Sequence, residues 1–200
     1  GLASRVLILV PDSLIHQWFL EFYRRFNMWF SIYDQARCDA VVDGAPGGNP
    51  FLDQQLILCG VSFLTGSERY RDFAIEAGWD VVVVDEAHHL RWTPESSSPE
   101  YELVNTLGQR TPGLLLLTAT PEQLGHAGHF ARLRLLDPDR YPDFLQFEKE
   151  AAQFGDVAAA AGRLAAGSEL TDDDCARIKS VFPEDEVHVE QLLQDVCNND

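Results

Sequence analysis

Two hundred residues, 46% hydrophobic and 24% charged, suffice for one domain with a substantial core, and no apolar run reaches the roughly eighteen residues of a membrane span. Fifteen basic against 32 acidic residues give a net charge of −17, which opposes general attraction to phosphate backbones. Cysteines at 38, 59, 175 and 197 form no CxxC pair or metal-ligand spacing, which points to a reducing compartment without a disulfide framework, and the six histidines contain no HExxH.

The chain begins with Gly1 and enters an apolar run almost at once, with no signal-peptide pattern, so a chain cut from something longer is expected. Val6–Val10 has the length and β-branched content of a buried parallel strand, as do Leu56–Cys59, Val81–Val84 and Leu114–Leu117. Asp12 or Ser13 is positioned to cap a helix through Leu14, Trp18, Phe22 and Phe26, whose apolar residues recur every four. DGAPGGNP, residues 43–50, is composed as a surface loop. A helix from Ser67 or Glu68 to Ala77 is stopped by Gly78, and Ser98-Pro99 opens another that ends at Gly108. Strands alternating with helices predict βαβ units and a doubly wound α/β sheet. Beyond about residue 145 the strand signals cease. Ala151–Ala166 reads as a helix, Thr171 and Asp174 as the capping box of a second that runs to Pro183, and 187–196 as a last amphipathic segment. Residues 143–200 carry 14 acids against four bases, so this tail is expected to be an acidic helical appendage.

Chemistry concentrates after the third strand. Four valines, expected to be buried on both faces, lead into Asp85-Glu86-Ala87-His88-His89-Leu90, which places two adjacent carboxylates where open α/β sheets bind ligands. Such a pair suits nucleotide hydrolysis: one acid holds magnesium and the other positions or deprotonates water. The bland alternative is an acidic polar turn. Thirty-three residues after Asp85, Leu114–Leu117 ends in Thr118-Ala119-Thr120-Pro121, hydroxyls able to sense a γ-phosphate or simply to close a turn before proline. In this order and at this spacing the two motifs are specific.

Together they resemble the first RecA-like lobe of superfamily 2 helicases, and within these the Swi/Snf-type DNA translocases. The resemblance covers about residues 3–150 and implies a partial RecA-like doubly wound parallel sheet. It makes Asp85-Glu86-Ala87-His88 the Walker B motif, with Asp85 as the magnesium ligand beside ATP and Glu86 as the catalytic base. It assigns Thr118, Ala119 and Thr120, with His88, to coupling. The loop after Val6–Val10, with Pro11, Ser13 and Gln17, matches the motif that meets the nucleic-acid backbone, and Leu56–Cys59 would lead to a further, weaker motif. The run His129-Phe130-Ala131-Arg132-Leu133-Arg134, with Tyr141 and Phe144, points to the bacterial RNA polymerase-associated branch. That branch implies RNA polymerase and double-stranded DNA as partners, no membrane, and a cytoplasmic, nucleoid-associated location.

Departures from the family pattern bear on activity. No GxxxxGK[ST] occurs in the 200 residues, and neither Lys149 nor Lys179 follows a glycine-rich loop. The piece alone is therefore expected not to hydrolyse ATP, and its unpaired sheet edge to favour marginal stability or self-association. Two other readings remain open: a non-catalytic protein-binding module using the acidic tail, and the motor lobe of an RNA helicase or restriction-type translocase. The aromatics of residues 18–30 are expected to be core rather than a base-stacking platform, and Arg24-Arg25 a solvated helix face. His126 and His129 are expected to pack or lie on the surface rather than bind metal, and adjacent His88 and His89 to point apart.

Overall fold

The computed structural model describes residues 3–44, 47–119, 125–165, 171 and 174–176. The chain divides into two compact units, Gly1–Pro142 and Asp143–Asp200. In the first, five parallel strands form one sheet: β1 (Val6–Val10), β2 (Ser31–Tyr33), β3 (Leu56–Gly60), β4 (Val81–Val84) and β5 (Gly113–Leu116), in the order β2-β3-β1-β4-β5. β1 is central, pairing Val6 with both Leu56 and Val81 and running in register to Gly60 on one side and Val84 on the other. Every βαβ connection thus starts or ends near one strand, and the order reverses beside it, where ligand crevices open.

Pleating sends alternate side chains to opposite faces, and the two faces are covered unequally. Leu7, Leu9, Ile57, Cys59, Val82 and Val84 point to one side. There they pack with α2 (Gln35–Gly44), α3 (Val61–Gly66), α4 (Glu68–Glu76), α5 (Pro99–Gly108) and α6 (Gly125–Leu136). Ile8, Val10 and Leu58 point to the other, against α1 (Ile15–Glu21) and the π-helical turn Phe22–Phe26 that continues it. Burial of β4 is consequently alternating: Val82 and Val84 are buried, while Val81 and Val83 are only half-buried, because α1 reaches across β1 and β3. The expected burial on both faces of β4 is thereby corrected. β5 departs further, since it pairs only with β4 among the described strands and leaves Leu115 48% exposed.

Local signals account for most helices. Ser98 Oγ accepts the Tyr101 amide at 3.2 Å, Pro99 fills the first turn, and Glu100 and Glu102 face its positive end. Gly78 takes φ 70° just past α4, the left-handed stop expected of it. The first helix differs from the single smooth one its pattern suggests. Asp12–Leu14 is a 3₁₀ turn, the α-helix starts at Ile15, and Phe22–Phe26 is π-helical before Asn27 at φ 51°. No side chain caps it; the Asp12 carboxylate instead accepts the Ser62 hydroxyl. Loop residues 43–50 also shift role, since α2 runs to Gly44 and Pro50 opens a short 3₁₀ turn.

At the other end of the sheet, the Arg5 and Ser4 amides donate to Asp80 Oδ2 at 2.9 and 2.6 Å, and these bonds hold the Asp80 carboxyl below its ordinary range. A carboxyl with a lowered folded pKa stabilises the fold fully at neutral pH and loses that contribution as pH falls through the folded value. Asp80→Asn is therefore expected to lower the urea midpoint at pH 7, with the gap from wild type closing as pH drops below about 4, near the unfolded carboxyl's own pKa. Denaturation at pH 7, 5 and 3 measures this; a constant gap would contradict it. Burial, with Asp34 and Asp39 nearby, pushes the Cys38 thiol up to about 12, so it stays protonated and unreactive at neutral pH.

In the second unit, α7 (Phe144–Ala165) begins earlier than Ala151, the start expected from composition. The Thr171–Asp174 capping box forms in both directions: the Thr171 amide donates to Asp174 Oδ2 at 3.0 Å and the Asp174 amide to Thr171 Oγ1 at 3.2 Å. Arg163 adds an ion pair to the same carboxylate. The rest of that helix and the segment 187–196 lie outside the described residues.

Candidate active site at the ends of the central strands

β4 delivers Asp85 and Glu86 to the carboxyl edge of the sheet. The Asp85 amide continues the ladder onto Leu9 O at 2.9 Å, which fixes the acid beside the end of β1. Glu86 then takes φ 51° and ψ 44°, a left-handed conformation that costs a non-glycine residue roughly 1–3 kcal/mol. That turn carries the chain into a 3₁₀ turn at Ala87–His89. It is clamped from β5, because the Ala87 amide donates to Leu117 O and the Leu117 amide to Val84 O, both at 2.8 Å. The acidic turn and the strand end preceding Thr118 thus form one unit through backbone hydrogen bonds.

Both Asp85 oxygens are oriented: Oδ1 accepts the Glu86 amide at 2.9 Å and Oδ2 accepts the Trp18 indole N–H at 2.7 Å. Lone pairs remain on each oxygen. His88 Nδ1 lies 2.9 Å from Glu86 Oε2, close enough for an ion pair when the ring is protonated. The ring N–H is not aimed at that oxygen, and both buried atoms lack a hydrogen-bond partner. His89 is exposed, and its ring lies against that of His88 with centroids 4.0 Å apart. Adjacent histidines on a strand would point apart; on this helical turn their rings touch, tilted at 42° to one another.

No cluster of three or more His, Cys, Asp or Glu able to hold a metal is found among the described residues. The donor set fits magnesium nonetheless, since that ion usually takes one or two carboxylates and fills its remaining positions with phosphate oxygens and water. Asp85 keeps free lone pairs, and Glu86 Oε2 is a buried oxygen without a hydrogen bond.

The loop after β1 meets the end of β3. Gly60 leaves room there for the Asp12 carboxylate: a Cβ would meet Asp12 Oδ1, come within 3.2 Å of its Cγ and 3.4 Å of Ile15 Cδ1, and oblige the carboxylate to move. Asp12 reaches Ser62 across this gap and binds the two loops side by side. Ser13 and Gln17 are exposed and Pro11 is half-buried on the same edge as Asp85. Thr118 is half-buried and Ala119 exposed; Thr120 lies outside the described residues.

Sequence reasoning missed Trp18, Gly60 and Ser62. A tryptophan in an amphipathic helix reads as core, and nothing local marks its N–H as aimed at an acid 67 residues away. The aromatic expectation divides: Trp18, Phe19, Phe22 and Phe30 pack on the sheet, whereas Phe26, Trp29 and Tyr23 are 65%, 64% and 48% exposed. Tyr23 and Phe26 lie within the π turn and Trp29 just past it, where the four-residue spacing of the helical stripe no longer holds. Arg25 pairs with Glu21 one turn away, which offsets part of the basic spot. His126 and His129 are both exposed on α6, as expected of surface residues.

Comparison with known proteins gives the family and the fold. Residues 1–181 match the SNF2-related domain family. The chain is 50% identical over 187 residues to the RNA polymerase-associated protein RapA of Vibrio cholerae serotype O1 (strain M66-2), which covers 94% of this chain and 19% of the relative. The RapA proteins of Vibrio parahaemolyticus and Vibrio vulnificus (strain YJ016) are 50% and 49% identical over 188 and 187 residues. The chain therefore spans about a fifth of the length of these relatives. A solved structure titled Sulfolobus solfataricus SWI2/SNF2 ATPase core in complex with dsDNA superposes with a TM-score of 0.56 at 17% identity, over 90% of this chain and 32% of that one. It shows the same α/β fold, as the RecA-like expectation required. On its family match and its half-identity to RapA proteins, the chain belongs to the SNF2-related domain family.

Proposed function

We propose that this chain is part of the ATP-binding lobe of a double-stranded DNA translocase that remodels or recycles RNA polymerase during transcription. The observation that carries the reading is the Asp85-Glu86 turn, held by β1, β5 and Trp18 at the carboxyl edge of the sheet. Half-identity to proteins named for association with RNA polymerase supports that partner, and the likeness in fold to an ATPase core solved with double-stranded DNA supports the substrate class. Residues 1–145 would form the lobe and 146–200 an acidic helical extension, and the whole protein would work in the cytoplasm on the nucleoid.

Each residue has a role in this reading. Asp85 would hold magnesium with ATP, and the ion would supply neutralisation of phosphate charge. Glu86 orients the attacking water and accepts its proton as the oxygen bonds to the γ-phosphorus and ADP departs. His88, Thr118, Ala119 and Thr120 relay the state of the nucleotide along the clamp between the acidic turn and β5. Pro11, Ser13 and Gln17 meet the DNA backbone from the neighbouring loop. The half-exposed edge of β5 favours self-association of the isolated 200-residue chain.

A multi-round transcription assay tests the reading. Adding the complete protein with ATP should raise RNA yield per polymerase, and a non-hydrolysable ATP analogue should remove the gain. Equal yields with both nucleotides would favour the binding-module alternative, in which the acidic tail docks on a partner without chemistry.

A further inference from the structure

One hydrogen bond joins α1, which follows the loop proposed for nucleic acid, to the acid proposed for magnesium. Trp18 Nε1 donates to Asp85 Oδ2 at 2.7 Å, and the Glu86 amide donates to Oδ1 at 2.9 Å. With one N–H on each oxygen, the plane and rotation of the carboxylate are set between α1 and the end of β4. The indole is itself held: it is half-buried among the residues that pack α1 on the sheet, with its ring centroid 5.4 Å from that of Phe22. A neutral donor to a carboxylate makes a short, charge-assisted bond. Packing does not require it, because Phe19 and Phe22 pack against the same face with no polar atom.

We propose that Trp18 is a positioning residue, whose indole N–H holds the Asp85 carboxylate in the orientation that receives magnesium and ties that orientation to α1. The inference rests on the magnesium role proposed for Asp85. Hydrogen-bond partners of a ligating group typically govern about 10–100-fold of metal affinity or activity. Because α1 follows directly from the Pro11–Leu14 loop, a shift of that loop on nucleic acid would move the carboxylate with it.

The test is Mn²⁺ binding, followed by electron paramagnetic resonance, to the complete protein holding a non-hydrolysable ATP analogue. Wild type is compared with Trp18→Phe, with Asp85→Asn, and with protein carrying 3-benzothienylalanine at position 18, an isostere of tryptophan that lacks the N–H. The expected result is Mn²⁺ affinity weakened about 10-fold or more in both position-18 proteins, with an unchanged thermal midpoint for the isostere. If Trp18→Phe fails to fold, the isostere alone decides. Wild-type Mn²⁺ affinity in the isostere, with Asp85→Asn weakened, would overturn the inference and leave the magnesium role standing. Unchanged affinity in Asp85→Asn would overturn both.

Discussion

Glu86→Gln is expected to lower ATP turnover by the complete protein by about 10²–10⁴-fold, the usual contribution of a positioned general base, while nucleotide binding is largely retained. Glutamine keeps the size of the side chain and one acceptor oxygen but cannot take a proton from water. The exchange leaves no hydrogen-bond partner stranded, since Glu86 Oε2 has none and His88 Nδ1 faces it without an aligned bond. Asp85 retains both of its N–H donors, so the affinity for magnesium and nucleotide should persist. Steady-state turnover beside a fluorescent-nucleotide titration checks both halves. Turnover unchanged by Glu86→Gln would place the base elsewhere.

Leu9→Ala is expected to destabilise the fold by about 2–5 kcal/mol, the range for truncating a buried leucine. Leu9 is fully buried in the central strand, flanked by β3 and β4, and it faces the side covered by five helices, where the surroundings collapse poorly into a void. Domain stabilities run roughly 5–15 kcal/mol, so the loss is a large share of the whole. Its carbonyl also anchors the Asp85 amide, which links strand packing to the site. Leu115→Ala is the contrast: the same residue type in an edge strand and 48% exposed, with an expected cost of no more than about 0.5 kcal/mol. Urea denaturation of both variants measures the difference. Equal costs would mean that the two faces and edges of the sheet are not loaded as described.

Much of this was legible in the sequence because the relevant signals are local. Unbroken apolar runs mark β1, β3 and β4, Ser98-Pro99 and Gly78 mark helix ends, and the acidic pair after four valines marks the site. The elements that escaped are short or lack a stripe. β2 has three residues, α3 has six, and α2 places its apolar residues without period, although Asp34 does cap it by accepting the Arg37 amide at 2.8 Å. The degree of burial of β4 and β5 is not legible locally, because coverage of the second face depends on how far α1 reaches, which is a tertiary fact. The same holds within the site. The carboxylates are visible as residues, but what orients them, the Trp18 indole and the left-handed turn at Glu86, comes from contacts distant in sequence or from backbone conformation that glutamate does not favour.

ATP hydrolysis by the complete protein, with and without double-stranded DNA, tests the translocase reading most directly. Turnover is expected to rise on adding duplex DNA. Turnover absent under both conditions, or present and indifferent to DNA, would contradict that reading.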